Sequence, residues 1–383
     1  MSRELAYLLL ICGLMVVPGI LQRIRVPPPL ASFLLGMAVI LALPGIHRHD
    51  AAVHLLAALG ISTLFLYAGL EVDLQTLRRA VGPLSAYLLT RVAAIAAVAW
   101  LAARTAGFAW QDATLLALAL LTSSTGFIID SLDRYGLDDD ERFWVTNNAI
   151  SGELLALAIM FVVLKATDPV ELATATLALV ATLVALPLAM IALGRWIIPF
   201  AAGSAFSFLV MLGFAAAFIT DRLGVEYLLG AFLAGLVARL LEKRVPTLAS
   251  QDNLHAVKLF SSFFLPFYFF VRGANVPADA LSLQALEIGV VLTLVLVPLR
   301  AFAIWAKRRL LGIGHTRGGL RVAAALTPTL IFTLVLATIL RDRNAISDAQ
   351  LGGLLLYAGL NTMLPSFVLR VPFDVAPAPK SGP

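Results

Sequence analysis

Two short polar stretches in an otherwise apolar sequence contain the residue types that bind cations and protons. The first is Thr122-Ser123-Ser124-Thr125-Gly126, and the second runs from Asn147 and Asn148 to Ser151-Gly152-Glu153. Glu153 directly precedes the apolar run of residues 154–164. A carboxylate at bilayer depth costs roughly 2.5 kcal/mol or more, and a residue so costly to bury indicates a functional site.

A single buried carboxylate can hold either a proton or a monovalent cation. Hard oxygen ligands suit Na⁺ and K⁺, and burial makes the charged carboxylate costly, so that a proton competes for it. Neutral oxygens from Thr122, Ser124, Thr125 and Asn148 could complete a cation site around Glu153. In the alternative interpretation, the acid pairs with an arginine to fix helix packing, and each hydroxyl or amide serves a helix contact.

Three arginines lie within apolar segments, where a charged side chain is costly unless it has a partner or a function. Arg300 lies in the middle of its segment and is the natural charge partner of the buried acid, although its side chain could instead extend to the membrane interface. For Arg272, interface anchoring and function are equally good explanations. Arg91 has no assigned role, and could neutralise Glu71 or Asp130.

The composition places these residues in a polytopic membrane protein. Of the 383 residues, 60% are hydrophobic and 13% are charged, whereas charged residues approach a quarter of a soluble domain. The net charge of +5 fits the Lys and Arg excess of cytoplasmic loops better than nucleic-acid binding. One cysteine, Cys12, excludes a disulfide framework. Neither a phosphate-binding loop nor a metal-ligand spacing is present, so we expect no enzyme and no cofactor.

About thirteen segments are long and apolar enough to be spans. They cover approximately residues 4–21, 29–44, 52–71, 81–103, 111–130, 144–164, 170–194, 197–220, 224–241, 257–275, 283–305, 318–340 and 349–370. With the N-terminus placed outside, most Lys and Arg residues of the loops face the cytoplasm, as the positive-inside rule requires. The C-terminus is then cytoplasmic, and residues 372–383 are expected to form a disordered tail.

Helix-breaking residues interrupt two of these spans. The Ser and Thr side chains of the fifth span offer the backbone alternative hydrogen bonds, and Thr327-Pro328-Thr329 interrupts the twelfth because proline removes an amide donor. The two spans are seven apart in order. Interrupted segments at matching positions in two halves indicate inverted repeats with a site at the membrane midplane. Ser123, Gly126, Thr327, Pro328 and Thr329 lie at these interruptions and are expected at that midplane.

Four motifs give the chain a resemblance to the monovalent cation:proton antiporters, in the branch of sodium/hydrogen exchangers and potassium-efflux antiporters. They are Gly69-Leu70-Glu71-Val72-Asp73-Leu74, Thr122-Ser123-Ser124-Thr125, Gly230-Ala231-Phe232-Leu233-Ala234-Gly235 and Phe263-Phe264-Leu265-Pro266-Phe267-Tyr268-Phe269-Phe270. The resemblance implies an all-α fold of about thirteen spans, with inverted repeats, two crossing discontinuous helices and an elevator-like cycle.

The resemblance also implies roles for individual residues. The family has an acidic or amide residue followed by Asp in its sixth span, where this chain has Gly152 and Glu153. Glu153 then inherits the shared ion and proton site, Gly152 departs from the pattern, and Arg300 matches a basic residue of the eleventh span. One titratable group in place of two suggests one proton exchanged per cation.

The resemblance further implies a division of the chain into two domains and a homodimer. A dimerisation domain is expected to contain residues 1–80 and 196–280, and a core domain residues 81–165 and 281–371, with residues 166–195 as the linking helix. The GAFLAG motif at residues 230–235 would serve as a packing or dimer contact.

The sequence therefore predicts an antiporter of the cell inner membrane that exchanges Na⁺ or K⁺ for H⁺, with electroneutral transport by alternating access. Two alternatives stay open. One is a sodium-coupled organic-anion symporter of related fold, in which Arg272 or Arg300 would face a carboxylate. The other is a non-transporting or channel-like membrane subunit that works with a soluble partner.

Overall fold

The computed structural model describes residues 3–42, 50–72, 81–166, 168–197, 200–223, 227–310 and 316–369, and every regular element within those ranges is helical. The predicted disordered tail of residues 372–383 lies outside the described residues, as do Asp73 and Leu74 of the first family motif.

The helices follow one another with short connections. The first half contains α1 (Arg3–Gln22), α2 (Pro28–Ala42), α3 (Ala51–Leu70), α4 (Val81–Ala106), α5 (Trp110–Leu121), α6 (Thr125–Ser131) and α7 (Asp139–Lys165). The remainder contains α8 (Pro169–Trp196), α9 (Ala205–Arg222), α10 (Tyr227–Leu240), α11 (Gln251–Ala274), α12 (Leu283–Leu310), α13 (Thr316–Ala325), α14 (Leu330–Asp342) and α15 (Asp348–Val368).

These helices account for all the predicted spans. Within the described part of the chain, nine segments are long and apolar enough to cross a membrane, and the bent pair α13 and α14 makes a tenth. The shorter apolar helices Tyr7–Gln22, Pro28–Ala42 and Tyr227–Leu240 complete the set. The eighth predicted span begins too early, since α9 starts at Ala205 rather than at residue 197. A short 3-10 turn at Ala202–Ser204 precedes it, because Gly203 and Ser204 are poor helix formers although their neighbours are apolar.

Both predicted interruptions are present. Residues 122–124 separate α5 from α6, and residues 326–329 separate α13 from α14, whose axes differ by 42°. The polar side chains Thr122, Ser123, Ser124, Thr327 and Thr329 at these breaks are all buried. Non-helical backbone at membrane depth is tolerated only where protein or a polar cavity satisfies it, so the breaks must be supported from within the fold.

Glycines allow close contact between α3 and α10. A Cβ added to Gly69 would overlap the carbonyl oxygen of Phe232, and one added to Gly235 would overlap that of Leu66. The GAFLAG motif therefore packs two helices of the same chain. Helix α11 packs against both α3 and α2, while α15 packs against α12 and α14, and α5 against α4 and α14. The division into a dimerisation and a core domain stays a prediction.

The acidic loop before α7 has a structural role rather than being merely solvated, as its charge alone suggests. Asp138 and Glu141 form a capping box that satisfies the first amides of α7. Glu141 is 5% exposed, and both of its carboxylate oxygens lie 3.0 Å from Nε of Arg321 in α13. This pair ties the start of α7, the helix that contains Glu153, to one half of a broken span.

Candidate functional site

The two helix breaks satisfy each other's backbone. The amide of Ser124 donates to the carbonyl oxygen of Pro328 at 2.8 Å, and its hydroxyl accepts from the amide of Ile331 at 3.0 Å. The hydroxyl of Ser123 donates to the carbonyl of Leu326 at 2.6 Å. The residues predicted at the crossing are thus brought together, and their short polar side chains replace the hydrogen bonds that the broken helices lack.

Gly126, Thr327 and Thr329 also lie at the crossing. A Cβ on Gly126 would lie 2.9 Å from Cγ of Leu64, so this position in α6 is closely packed against α3. Thr327 donates to the carbonyl of Ala324 at 2.8 Å, and the Thr329 hydroxyl lies 2.9 Å from that of Thr333.

Arg300 of α12 extends over the crossing and is 8% exposed. Its Nη2 donates to the Leu326 carbonyl at 3.1 Å and to the Ser123 hydroxyl at 3.3 Å. Its Nη1 donates to the Thr327 carbonyl at 3.2 Å and to the Tyr357 hydroxyl at 3.3 Å. These partners differ from the predicted one, Glu153. The reason is that helices ending at membrane depth leave carbonyl oxygens with partial negative charge, which attract a guanidinium group.

Glu153 lies on α7 and is 1% exposed. Its carboxylate lies against the backbone and side chain of Thr125 at the start of α6. Oε2 of Glu153 and Oγ1 of Thr125 nevertheless have no hydrogen-bond partner among the described residues. The acid therefore points at a helix break, as predicted, but it is not fully satisfied there.

Two further oxygens of the same elements share this property. Oγ1 of Thr122, at the α5–α6 break, and Oδ1 of Asn148, on α7, are buried and have no hydrogen-bond partner among the described residues. Asn147 and Ser151 differ, since they donate to helix carbonyls of Phe143 and Asn147 at 2.7 and 2.6 Å. Buried polar atoms are rarely left without partners, so the four unsatisfied oxygens on the α5–α6 break and on α7 make this region the candidate for a cation site.

Ser124, also predicted as a ligand, uses its hydroxyl to accept the Ile331 amide. Its second lone pair remains open to a cation. No group of three or more His, Cys, Asp or Glu side chains that could hold a metal ion occurs in the described ranges. One carboxylate with neutral oxygens is instead the donor set suited to a monovalent ion that binds and leaves.

The sequence assigned no role to Arg91, which the structure places beside Gly152. Its Nη1 donates to the Tyr87 hydroxyl and its Nη2 to the Leu121 carbonyl, both at 3.1 Å. The partners suggested for it from sequence were wrong. Glu71 accepts from the Tyr67 hydroxyl, and Asp130 pairs with Arg134 at 3.2 Å.

Sequence analysis also missed supporting residues from α14 and α15. Tyr357 donates to the Leu120 carbonyl at 2.6 Å, Thr333 donates to the Ala119 carbonyl at 2.7 Å, and Asn361 is fully buried near Thr329. An amide within an apolar span was the available signal for Asn361. Arg272, whose role was left open, lies 5.2 Å over the ring of Tyr268.

Comparisons with known proteins give a family and a similar solved structure. The family model described as "Sodium/hydrogen exchanger, transmembrane" matches residues 7–372. The structure resembles that of the sodium proton antiporter MjNhaP1 from Methanocaldococcus jannaschii at pH 8, with a TM-score of 0.69 and 15% identity over 95% of both chains. A structure of MjNhaP1 from an electron-microscopy map gives 0.62 and 16% over 96% of both chains. None of the curated protein sequences compared with the chain matches it significantly.

The structural similarity confirms the predicted fold, an all-α membrane protein with about thirteen spans and two crossing broken helices.

Proposed function

Because the chain belongs to the sodium/hydrogen exchanger family, we propose that it is a secondary active antiporter that exchanges Na⁺ or K⁺ for H⁺ at Glu153. The family membership supports cation/proton antiport and a multi-pass membrane location. The observation that carries the finer proposal is the group of buried, unsatisfied oxygens of Thr122, Thr125, Asn148 and Glu153.

Exchange follows from competition for one carboxylate. The ionised Glu153 attracts a cation, to which the hydroxyl and amide oxygens add neutral ligands. Protonation removes that charge and the attraction with it. A carrier that changes its exposed side only when Glu153 holds a cation or a proton would couple the two flows, which is alternating access.

Electroneutral transport follows from the same arrangement. Arg91 and Arg300 keep their charge at any working pH, so Glu153 is the only titrating group in this account of the site. The site has the same total charge with one monovalent cation or with one proton bound. One cation therefore exchanges for one proton, and the rate should not depend directly on membrane potential.

The symporter alternative receives less support from these contacts. A carboxylate substrate needs free donors, but the guanidinium of Arg300 is directed at carbonyl and hydroxyl oxygens of the crossing. The unsatisfied oxygens would repel an anion. We further propose a homodimer in the cell inner membrane, with the N-terminus outside and the C-terminus in the cytoplasm, as the distribution of Lys and Arg suggests.

Purified protein in liposomes that contain a pH-sensitive dye provides the test. With a proton gradient imposed, adding Na⁺ or K⁺ should dissipate the gradient, at a rate unchanged when the membrane potential is clamped at different values. Glu153→Gln should abolish the response. Glu171→Gln is a matched control, because Glu171 is a half-exposed carboxylate paired with Lys165 at 2.6 Å. Exchange that survives in Glu153→Gln contradicts the proposal.

A further inference from the structure

Arg91 and Gly152 complement each other in shape. A Cβ built on Gly152 would lie 2.7 Å from Cζ of Arg91, closer than real Cβ atoms approach, and 3.2 Å from its Nε, which is a tight contact. Arg91 is 8% exposed, and its guanidinium is held from two sides by Tyr87 of its own helix and by the Leu121 carbonyl at the end of α5. Its position is therefore fixed, and a side chain at Gly152 would displace it.

The charge of Arg91 acts on the neighbouring residue, Glu153. No salt bridge joins the two side chains among the described residues, and Nε of Arg91 and Oε2 of Glu153 are both left without hydrogen-bond partners. The guanidinium thus lies near enough to influence the carboxylate without occupying it.

The other charged groups on helices packed against α7 are committed elsewhere or exposed. Arg104 and Arg195 are exposed near the ends of α4 and α8. The remaining charged side chains that the structure describes on these helices form ion pairs of their own: Asp112 with Arg343, Asp130 with Arg134, Glu141 with Arg321, Asp133 with Arg142 and Lys165 with Glu171. Asp139 and Asp140 lie in the first turn of α7, remote from Glu153.

We propose that Arg91 is a positioning residue for Glu153: its guanidinium fills the volume left by the missing side chain of Gly152 and holds a permanent positive charge beside the ion site. This inference rests on the proposed function and adds to it. A positive charge beside a carboxylate favours its ionised form and opposes a bound cation. Arg91 then weakens the binding of both the proton and the cation to Glu153, so that each is released readily.

Removing the charge while keeping the bulk is the first test. Arg91→Met should move the pH of half-maximal exchange upward by about one unit, because one pH unit corresponds to a tenfold change in affinity. At a pH well above that midpoint, where protons no longer compete, it should also lower the KM for the cation by about tenfold. Arg91→Lys should retain a profile close to that of the unmodified protein. Arg104→Met is the matched control, since Arg104 lies on the same helix near Trp100 and away from the site. An unmoved pH profile and KM in Arg91→Met would overturn the assignment.

The second test enlarges the side chain at position 152 and then shortens the one at position 91. Gly152→Asn should lose exchange and lower the Tm of the detergent-purified protein, because the added side chain collides with Arg91. Combining it with Arg91→Ala should recover both properties at least in part. The assignment is also wrong if Gly152→Asn matches the unmodified protein, or if the double variant is no better than the single one.

The Tm comparison does not depend on transport. If the unmodified protein shows no cation-dependent proton movement, the proposed function fails, while recovery of Tm in the double variant still supports the pairing of Arg91 with Gly152. If exchange is robust but neither Arg91→Met nor the double variant behaves as described, the function stands and the role of Arg91 fails. If Arg91→Met is too unstable for kinetics, the Tm values of Gly152→Asn and of the double variant still test whether Arg91 packs against Gly152.

Discussion

Two buried polar regions lie close together in this fold, and they differ in how completely their hydrogen bonds are satisfied. At the helix crossing, Ser123, Ser124 and Arg300 use their polar groups on carbonyls and amides of the opposite break. On the α5–α6 break and on α7, the oxygens of Thr122, Thr125, Asn148 and Glu153 have no hydrogen-bond partner among the described residues, whereas at the crossing Oδ1 of Asn361 is left in this way. We therefore propose that the crossing serves mainly as a scaffold and that the region of Glu153 binds and releases the cation.

Removing the charge of Glu153 should have the largest effect and tests whether the two regions differ in role. Glu153→Gln should reduce exchange to background without lowering Tm, because the substitution replaces a buried charge that has no complete set of partners. Dye-based exchange and thermal unfolding in detergent measure the two effects. If instead Tm falls as exchange is lost, Glu153 belongs to the scaffold and the distinction between the two regions fails.

Replacing Arg300, the arginine of the helix crossing, should instead lower Tm. Arg300→Leu leaves several buried acceptors unsatisfied, each worth about 1–3 kcal/mol, so we expect a destabilisation of roughly 3 kcal/mol and a clear fall in Tm. Arg300→Lys should be intermediate, since a lysine cannot reach all of the same acceptors. An undiminished Tm in Arg300→Leu would show that the crossing does not depend on this residue.

A matched pair of hydroxyl variants sharpens the comparison. Thr125→Val should raise the KM for the cation by about tenfold, equivalent to 1.4 kcal/mol for one lost ligand, with little change in Tm. Ser123→Ala should cost about 1 kcal/mol of stability with an unchanged KM, since its 2.6 Å hydrogen bond to Leu326 is structural. Cation titrations of the exchange rate and thermal unfolding separate the two outcomes. A reversal of this pattern would contradict the assignment of ligands.

The smallest effect is expected at the N-terminal end of α7. Glu141→Gln weakens the pair with Arg321, which is 38% exposed, so solvent screening limits the loss to below about 1 kcal/mol. Exchange should be unchanged, and Tm should fall slightly. A strong loss of exchange in this variant would indicate that the tie between α7 and α13 takes part in the transport cycle.

Much of the fold could be predicted from the sequence because insertion in a membrane strongly restricts where polar residues can occur. Apolar segments of span length, the interruptions at residues 122–125 and 327–329, and the buried acid Glu153 all follow from the cost of exposing polar groups to lipid. The start of α9 was misplaced, because apolar residues continue through a segment that does not become helical.

The contacts of the arginines could not be predicted from the sequence. Arg300 and Arg91 are both cations in apolar spans, and nothing local shows which one acts on Glu153. The contacts of Arg300 depend on where the helix breaks expose carbonyl oxygens, and those of Arg91 depend on the space left beside Gly152. Both are set by how separate helices pack, which the sequence does not show. The ion pair of Glu141 could not be predicted for the same reason, since its arginine lies on α13.

Proton release on cation binding tests the competition at Glu153 most directly. Detergent-purified protein in weakly buffered solution near neutral pH is titrated with NaCl or KCl, with choline chloride as the control for ionic strength, while pH is recorded. The account predicts proton release that saturates with the cation, never exceeds one proton per chain, and disappears in Glu153→Gln. Saturable cation binding without proton release at any pH, or release that persists in Glu153→Gln, would contradict it.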